Sequence, residues 1–212
     1  MEEKVLKTMK ALEKNNMKPF YVETKEDVIP LLNELLADNE TVSCGGSVTL
    51  SECGILDYLR KGNFVFLDRY KENLTREEIN DIFKKSFFCD TYFTSTNAIT
   101  EQGQLYNVDG NSNRISAIAF GPKSVIVIAG INKIVKDIDE AVLRVKNVVA
   151  PKNAARLSMD TYCAKAGHCV VNDASYGGCT SKDRICCSRL ICDQQRIKDR
   201  IKVILVGEEI GF

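Results

Sequence analysis

Six of the chain's nine cysteines fall between Cys163 and Cys192, in "CAKAGHCVVNDASYGGCTSKDRICCSRLIC", with His168, the only histidine, among them. Thiolates are soft ligands, so four on one loop can enclose zinc or an iron–sulfur cluster, and His168 sits between candidate ligands. The spacing is not the paired C-x-x-C of a zinc ribbon. Two other readings therefore stay open: buried thiols packed as small hydrophobes, and a redox-active disulfide. Cys44, Cys53 and Cys89 stand alone in sequence. Cys44 as a nucleophile would need a basic partner, and no histidine lies near it.

A second candidate is "TVSCGGSVTLSECGILDYLRKG", Thr41 to Gly62. Gly45 and Gly46 after a short β-branched run let backbone amides approach a phosphate or carboxylate, and a following helix would add its partial positive charge. Ser47 and Thr49 can donate hydroxyl hydrogen bonds to the same anion. Glu52, one turn on, would sit near the mouth as general base or as a ribose-type hydrogen-bond acceptor. The plainer alternative is a sharp glycine turn, a hydroxyl cap and a first-turn acid. The stretch is neither a Walker motif nor a dinucleotide-binding fingerprint.

A third is "STNAITEQGQLYNVDGNSNR", which crowds Asn97, Asn107, Asp109, Asn111, Asn113 and Arg114 between strand-like runs. These are ordinary turn residues. They could equally bring amides, a carboxylate and a guanidinium to one crevice, where Arg114 would clamp an anion bidentately.

The elements that would position these residues alternate along the chain. Helices are expected up to Asn15, over "KEDVIPLLNELLADN", over "LSECGILDYLRKG" and after Thr75, where Thr75-Arg76-Glu77-Glu78 reads as a capping box. Strands are expected at "PFYVET", "ETVSC", "FVFLD", "SVIVIAG" and "RIKVILVGEE". A tight hairpin is expected at Glu101-Gln102-Gly103 and a turn at Asp109-Gly110-Asn111. "DIDEAVLRVKNVVAP" should be helical and break at Pro151, with "KNAARLS" a further short helix. Alternating helices and buried strands predict an α/β fold, a mostly parallel sheet covered on both faces. With no repeat or linker-like run, one domain over residues 1–212 is expected, elaborated by a cysteine-rich segment over 158–195.

Composition narrows the partners. Hydrophobic content of 44% and charged content of 27% are those of an ordinary globular protein. Lysine plus arginine equals aspartate plus glutamate, 29 each, so no global field favours nucleic acid or an anionic membrane. The expected partners exclude both, and a homodimer fits the balanced charge. "MEEKVLKTMKALEKNNMK" has no apolar run of the secretory kind, and many thiols without such a leader predict a cytoplasmic protein.

Four segments together, "GGSVTLSECGILDYLRKGNFVFLDR", "DTYFTSTNAITEQGQLYNVDGNSNRISAIAFGPKSVIVIAGINKIVKDIDEAV", "APKNAARL" and "IKVILVGEEIGF", resemble the LUD-domain family, the relatives of lactate-utilization protein C. The resemblance spans nearly the whole chain in order. It implies a three-layer Rossmann-like fold of the glucosamine-phosphate deaminase, ribose-phosphate isomerase and CoA-transferase type. It also implies a site bordered by Gly45, Gly46, Ser47, Thr49 and Glu52, with Asn97, Thr100, Asn107, Asp109, Asn113 and Arg114 opposite. Lactate-type members serve a three-part system oxidising L-lactate to pyruvate, whose iron–sulfur chemistry belongs to partner oxidoreductase subunits. The cysteine segment is similar to a family pattern, "C-A-K-x-G-x-C" followed by a further cysteine and "R-I-C". That pattern selects Cys163, Cys169, Cys179 and Cys186 as metal or cluster ligands, with Cys179 displaced by the inserted "VVNDASYGG".

The leading expectation is a protein binding a small anionic metabolite, with Glu52 as proton acceptor and Arg114 as anion clamp, in lactate or carboxylate utilization. Two others stand beside it: an accessory electron-transfer or metal-binding module built on the Cys163–Cys192 loop, and a sugar-phosphate isomerase or CoA-ester enzyme by fold analogy.

Overall fold

The two apolar runs "SVIVIAG" and "IKVILVG" become the middle of the molecule. In the computed structural model, which describes residues 2–212, ten strands form in chain order. They are β1 (Lys18–Val22), β2 (Thr41–Cys44), β3 (Val65–Leu67), β4 (Thr91–Thr94), β5 (Ala98–Thr100), β6 (Leu105–Asp109), β7 (Ser124–Gly130), β8 (Ile134–Val135), β9 (Ser188–Cys192) and β10 (Ile201–Val206). Six of them make an all-parallel sheet in the order β1-β10-β7-β4-β2-β3.

Because strand side chains alternate, one apolar run feeds two cores. Val125, Val127, Ala129, Val203 and Leu205 enter one cluster, where α1 (Glu3–Lys14) contributes Val5 and Leu12. Ile126, Ile128, Ile204 and Val206 enter the other. There they meet Val28 and Leu32 of α2 (Val28–Leu35), Leu50 of α3 (Val48–Glu52), and Ile55 and Leu59 of α4 (Ile55–Lys61). This is the expected parallel sheet with helices on both faces. α5 (Arg76–Lys85) starts at Thr75 with the expected reciprocal bonds between Thr75 and Glu78.

A second, four-stranded sheet, β8-β5-β6-β9, is added to this frame. β5 and β6 form the expected hairpin and β9 pairs antiparallel with β6, so the cysteine-rich segment ends as part of a sheet rather than as an appended loop. One face of this sheet sends Ile99, Leu105, Ile134 and Cys192 into the first core. The other packs Ala98, Tyr106 and Val135 against the helical run that begins with α7 (Ile138–Arg144).

Three local expectations are corrected. The single helix expected over "LSECGILDYLRKG" is two, α3 and α4, because Gly54 adopts a left-handed φ of 67° between them. Asn113–Ala119, between the expected turn and the expected strand and given no helix from the sequence, is a helix, α6, whose first amides at Arg114 and Ile115 are capped by Asp109 Oδ2 at 3.0 Å each. Pro151 does not break the chain's helical run. After α7 comes one π turn, Val145–Val149, and then α8 (Ala150–Arg156), with Pro151 in its first turn. The π turn has already displaced the hydrogen-bond ladder there, so the missing proline N–H costs little. A short α9 (Tyr162–Ala166) follows.

Candidate functional site

Three adjacent strands of the large sheet, β7, β4 and β2, end at one crevice. From β2 the chain passes outward to β3 and returns on the other side as β4, so the winding reverses here, where open α/β sheets bind ligands. Gly46 to Thr49 follow β2, Ser95 to Asn97 follow β4, and Lys133 follows β7; all border the crevice. Val108 and Asp109 of β6, Arg114 of α6, and Asn153 and Arg156 of α8 form the facing wall. The crevice encloses about 540 Å³, counting its solvent-open mouth.

Of the residues expected at the site, Gly46, Ser47, Thr49, Asn97, Asp109 and Arg114 therefore border one cavity. Gly45 lies just behind it. A Cβ there would stand 3.0 Å from Arg114 Cδ and 3.1 Å from the Tyr92 hydroxyl, so only glycine lets the arginine stem pass. Ser47 Oγ accepts from the Leu50 amide and is spent as the cap of α3.

Arg114 is not available as an anion clamp. Its Nε donates to Asp109 Oδ1, its Nη1 to the Ser95 carbonyl and Asn107 Oδ1, and its Nη2 to Asn97 Oδ1 and the Val108 carbonyl. A guanidinium has five N–H donors, and all five are engaged. Arg114 instead ties β4, β6 and α6 together behind the crevice. Glu52 lies outside the crevice lining, and its Oε2 accepts the Gly211 amide at 2.7 Å. It pins a late segment of the chain, which leaves the proton-acceptor role without geometry. Thr100, Asn107 and Asn113 also lie outside the lining. Thr100 closes the β5–β6 turn with Gln104. Asn107 is fully buried against Arg114, with its Nδ2 unpartnered.

Lys133 is what the sequence reading missed. It is 2% exposed, yet its Nζ reaches the crevice and donates to Thr49 Oγ1 at 2.7 Å and Ser95 Oγ at 3.0 Å. Among the described residues no carboxylate is within ion-pair distance of it. Burial, and then the Arg144 and Arg114 guanidinium groups, push its pKa down to about 7. A lysine just beyond the carboxyl end of a fully apolar parallel strand is the signal that could have found it. Arg156 stands at the exposed mouth, braced by Asn153 Oδ1 at 2.8 Å.

The cysteines divide into two sets. All nine are free, so the disulfide reading has no counterpart in the structure. Burial pushes Cys44 and Cys89 up to about 12, and Cys53 and Cys192 up to about 11, so these four are unreactive packing thiols and Cys44 is no nucleophile. Cys163, Cys169, Cys179 and Cys186 instead line one recess beside the second sheet. Among the described residues no three His, Cys, Asp or Glu side chains converge closely enough to hold a single metal ion. His168 packs edge-on against Tyr162, outside the recess lining.

Comparison with known proteins agrees with the fold. The LUD-domain family profile matches residues 5–206. A crystal structure of a DUF162-family protein from Deinococcus radiodurans aligns over 97% of both chains, with a TM-score of 0.52 at 12% identity. The β subunit of eIF2B from Chaetomium thermophilum aligns over 53% of this chain and 43% of its own, with a TM-score of 0.39 at 14% identity. No curated protein matches the chain. Among the described residues no helix is long and apolar enough to cross a membrane.

Proposed function

The chain belongs to the LUD-domain family, and on that premise we propose that its crevice binds a small anionic metabolite for lactate or carboxylate utilization. The observation that carries this reading is Lys133: a buried amine bordering the crevice, held by two hydroxyls and unmatched by any carboxylate among the described residues. In its ammonium form, Lys133 has three N–H donors. Thr49 and Ser95 take two, and the third is left for a ligand carboxylate or phosphate. Such a charge-assisted bond in a desolvated site contributes about 2 kcal/mol. Arg156 supplies a second positive group at the mouth, and the Asn97, Asp109 and Arg114 network holds the far wall in place.

This assignment moves the anion contact from Arg114 to Lys133 and removes Glu52 from the chemistry. The finer reading is a cytoplasmic protein supplying this metabolite to iron–sulfur oxidoreductase subunits. The test is calorimetric titration of the full chain with lactate, pyruvate, ribose 5-phosphate and CoA, beside Lys133→Met. Saturable binding of at least one small anion, lost in the variant, is the expected result. Heats at the level of buffer for all four, or binding unchanged in Lys133→Met, rejects the reading.

A further inference from the structure

Four charged side chains line the crevice: Asp109, Arg114, Lys133 and Arg156. Asp109 and Arg114 pair with each other at 2.9 Å, which leaves the lysine and the second arginine for a ligand. These two differ in kind. Arg156 is exposed at the mouth; its Nε and Nη2 bond to Asn153 Oδ1, and its Nη1 meets no acceptor among the described residues. A guanidinium stays charged at any working pH, so Arg156 can hold an anion and do no more. Lys133 is buried, and an amine held in a desolvated site beside other cations can also react.

The setting of Lys133 keeps part of it in the free amine form. Facing it are Arg144 of α7 and Arg114 of α6, which oppose its protonation, and then Glu52 of α3 and the Cys53 thiol, which favour it less. Glu52 is already spent on the Gly211 amide. Burial and the two guanidinium groups prevail, so near neutral pH the amine and the ammonium coexist. The Gly211 backbone, held by Glu52 and by Asn132 Nδ2 on its carbonyl, lies over the nitrogen and its hydroxyl partner. A Cβ there would collide with Thr49 Oγ1 and stand 3.2 Å from Lys133 Nζ. The two hydroxyls on the nitrogen are not equivalent. Ser95 Oγ passes its own hydrogen to the Thr96 carbonyl, whereas the Thr49 hydroxyl hydrogen meets no acceptor among the described residues.

Resting on the anion-binding reading above, we propose that Lys133 is a catalytic amine that condenses with the keto carbon of a 2-oxo acid to form an imine in the crevice. The ammonium form and Arg156 gather the carboxylate, and the amine form attacks. The Nζ lone pair forms the new N–C bond, and the carbonyl π pair moves onto oxygen. That oxygen takes the Thr49 hydroxyl proton, which the nitrogen replaces. The C–O bond of this carbinolamine then breaks, the nitrogen lone pair forms C=N, and the two amine hydrogens leave with the oxygen as water. No oxidant or co-reactant is consumed. A hydroxy acid meets the same two cations but offers no carbonyl to attack, so Lys133 tells a keto acid from its reduced counterpart. The imine, once protonated, draws electron density from the carbons beside it, which a second arginine in that place could not do.

The full chain is incubated with pyruvate and, separately, with 2-oxobutyrate, reduced with sodium cyanoborohydride, and examined by intact mass and peptide mapping. Expected is about one reduced adduct per chain with at least one of the two acids, carried by the peptide containing Lys133 and absent with lactate. Lys133→Arg, which keeps the charge, should lose that adduct. The wild-type map locates the modified lysine by itself, so the test holds even if the variant does not fold. No adduct at Lys133 with either acid overturns the proposal. So do adducts spread over exposed lysines with Lys133 modified no more than they are. Anion binding that is lost in Lys133→Met, with nothing trapped in the wild type, overturns the imine and leaves the anion site standing; absence of both removes both.

Discussion

The crevice and the cysteine recess share Val108 as a lining residue but are held open by opposite means. Around the crevice, each polar group is carried by a strand end or a short helix, and Arg114 closes the network with every donor used. Around the recess, the cysteine-bearing chain is irregular and is fastened by three basic side chains bonding to its carbonyls. The first arrangement uses every donor of Arg114 and leaves the charge of Lys133, without an ion-pair partner among the described residues, facing the crevice. The second fastens irregular chain through side-chain bonds to backbone carbonyls and brings four thiols to one recess.

Arg114→Met strips the half-buried Asp109 and the buried Asn107 of their partner and should lower unfolding free energy by about 3–5 kcal/mol in urea titrations. A loss below about 1 kcal/mol would mean the wall behind the crevice is not held by this network. Lys133→Met should do the reverse, raising stability by about 2 kcal/mol at pH 7 while abolishing anion binding, because it removes a buried amine with no ion-pair partner among the described residues. The pH dependence sharpens this. The folded-state value of about 7 lies below the ordinary 10.5, so between these limits the unfolded chain binds more protons and stability rises with pH. Melts of wild type and variant at pH 7 and pH 9.5 should show that rise in the wild type and its loss in Lys133→Met. Affinity of the wild type for an anion should fall as pH climbs above about 7.

On the recess side, Lys146→Met should cost only about 1 kcal/mol globally but speed proteolysis between residues 170 and 180, since it frees the Asp173 and Ser175 carbonyls. Equal protease resistance in the variant would show that the loop does not rely on that lysine. The smallest effect is expected from Glu52→Gln, which should change stability by no more than about 0.5 kcal/mol and leave anion affinity unaltered. A large loss of affinity in Glu52→Gln would restore the acid to the site.

Much of the fold was legible. The period-two apolar runs of β7 and β10, the Thr75 capping box and the glycine pair after β2 each act through local geometry, which spacing reports directly. The errors arose where a local signal was outvoted. Turn residues around Asp109 concealed α6, whose start depends on an aspartate cap from the preceding strand. Pro151 looked like a helix end because the π turn before it leaves no mark in composition. At the site, Arg114 and Glu52 had the right residue types and were placed in the wrong roles, since which acceptors a guanidinium or carboxylate meets depends on distant chain: Ser95 in one case, Gly211 in the other.

By itself the sequence determined the parallel α/β frame, the family, and the three stretches from which a site could be drawn, because alternation, capping and glycine placement are properties of neighbouring residues. Only the tertiary structure decided that Lys133 rather than Arg114 faces the crevice unmatched, and that four particular cysteines share one recess. Both outcomes turn on burial and on which charges end up adjacent across the fold, and these are set by packing between segments far apart in the chain.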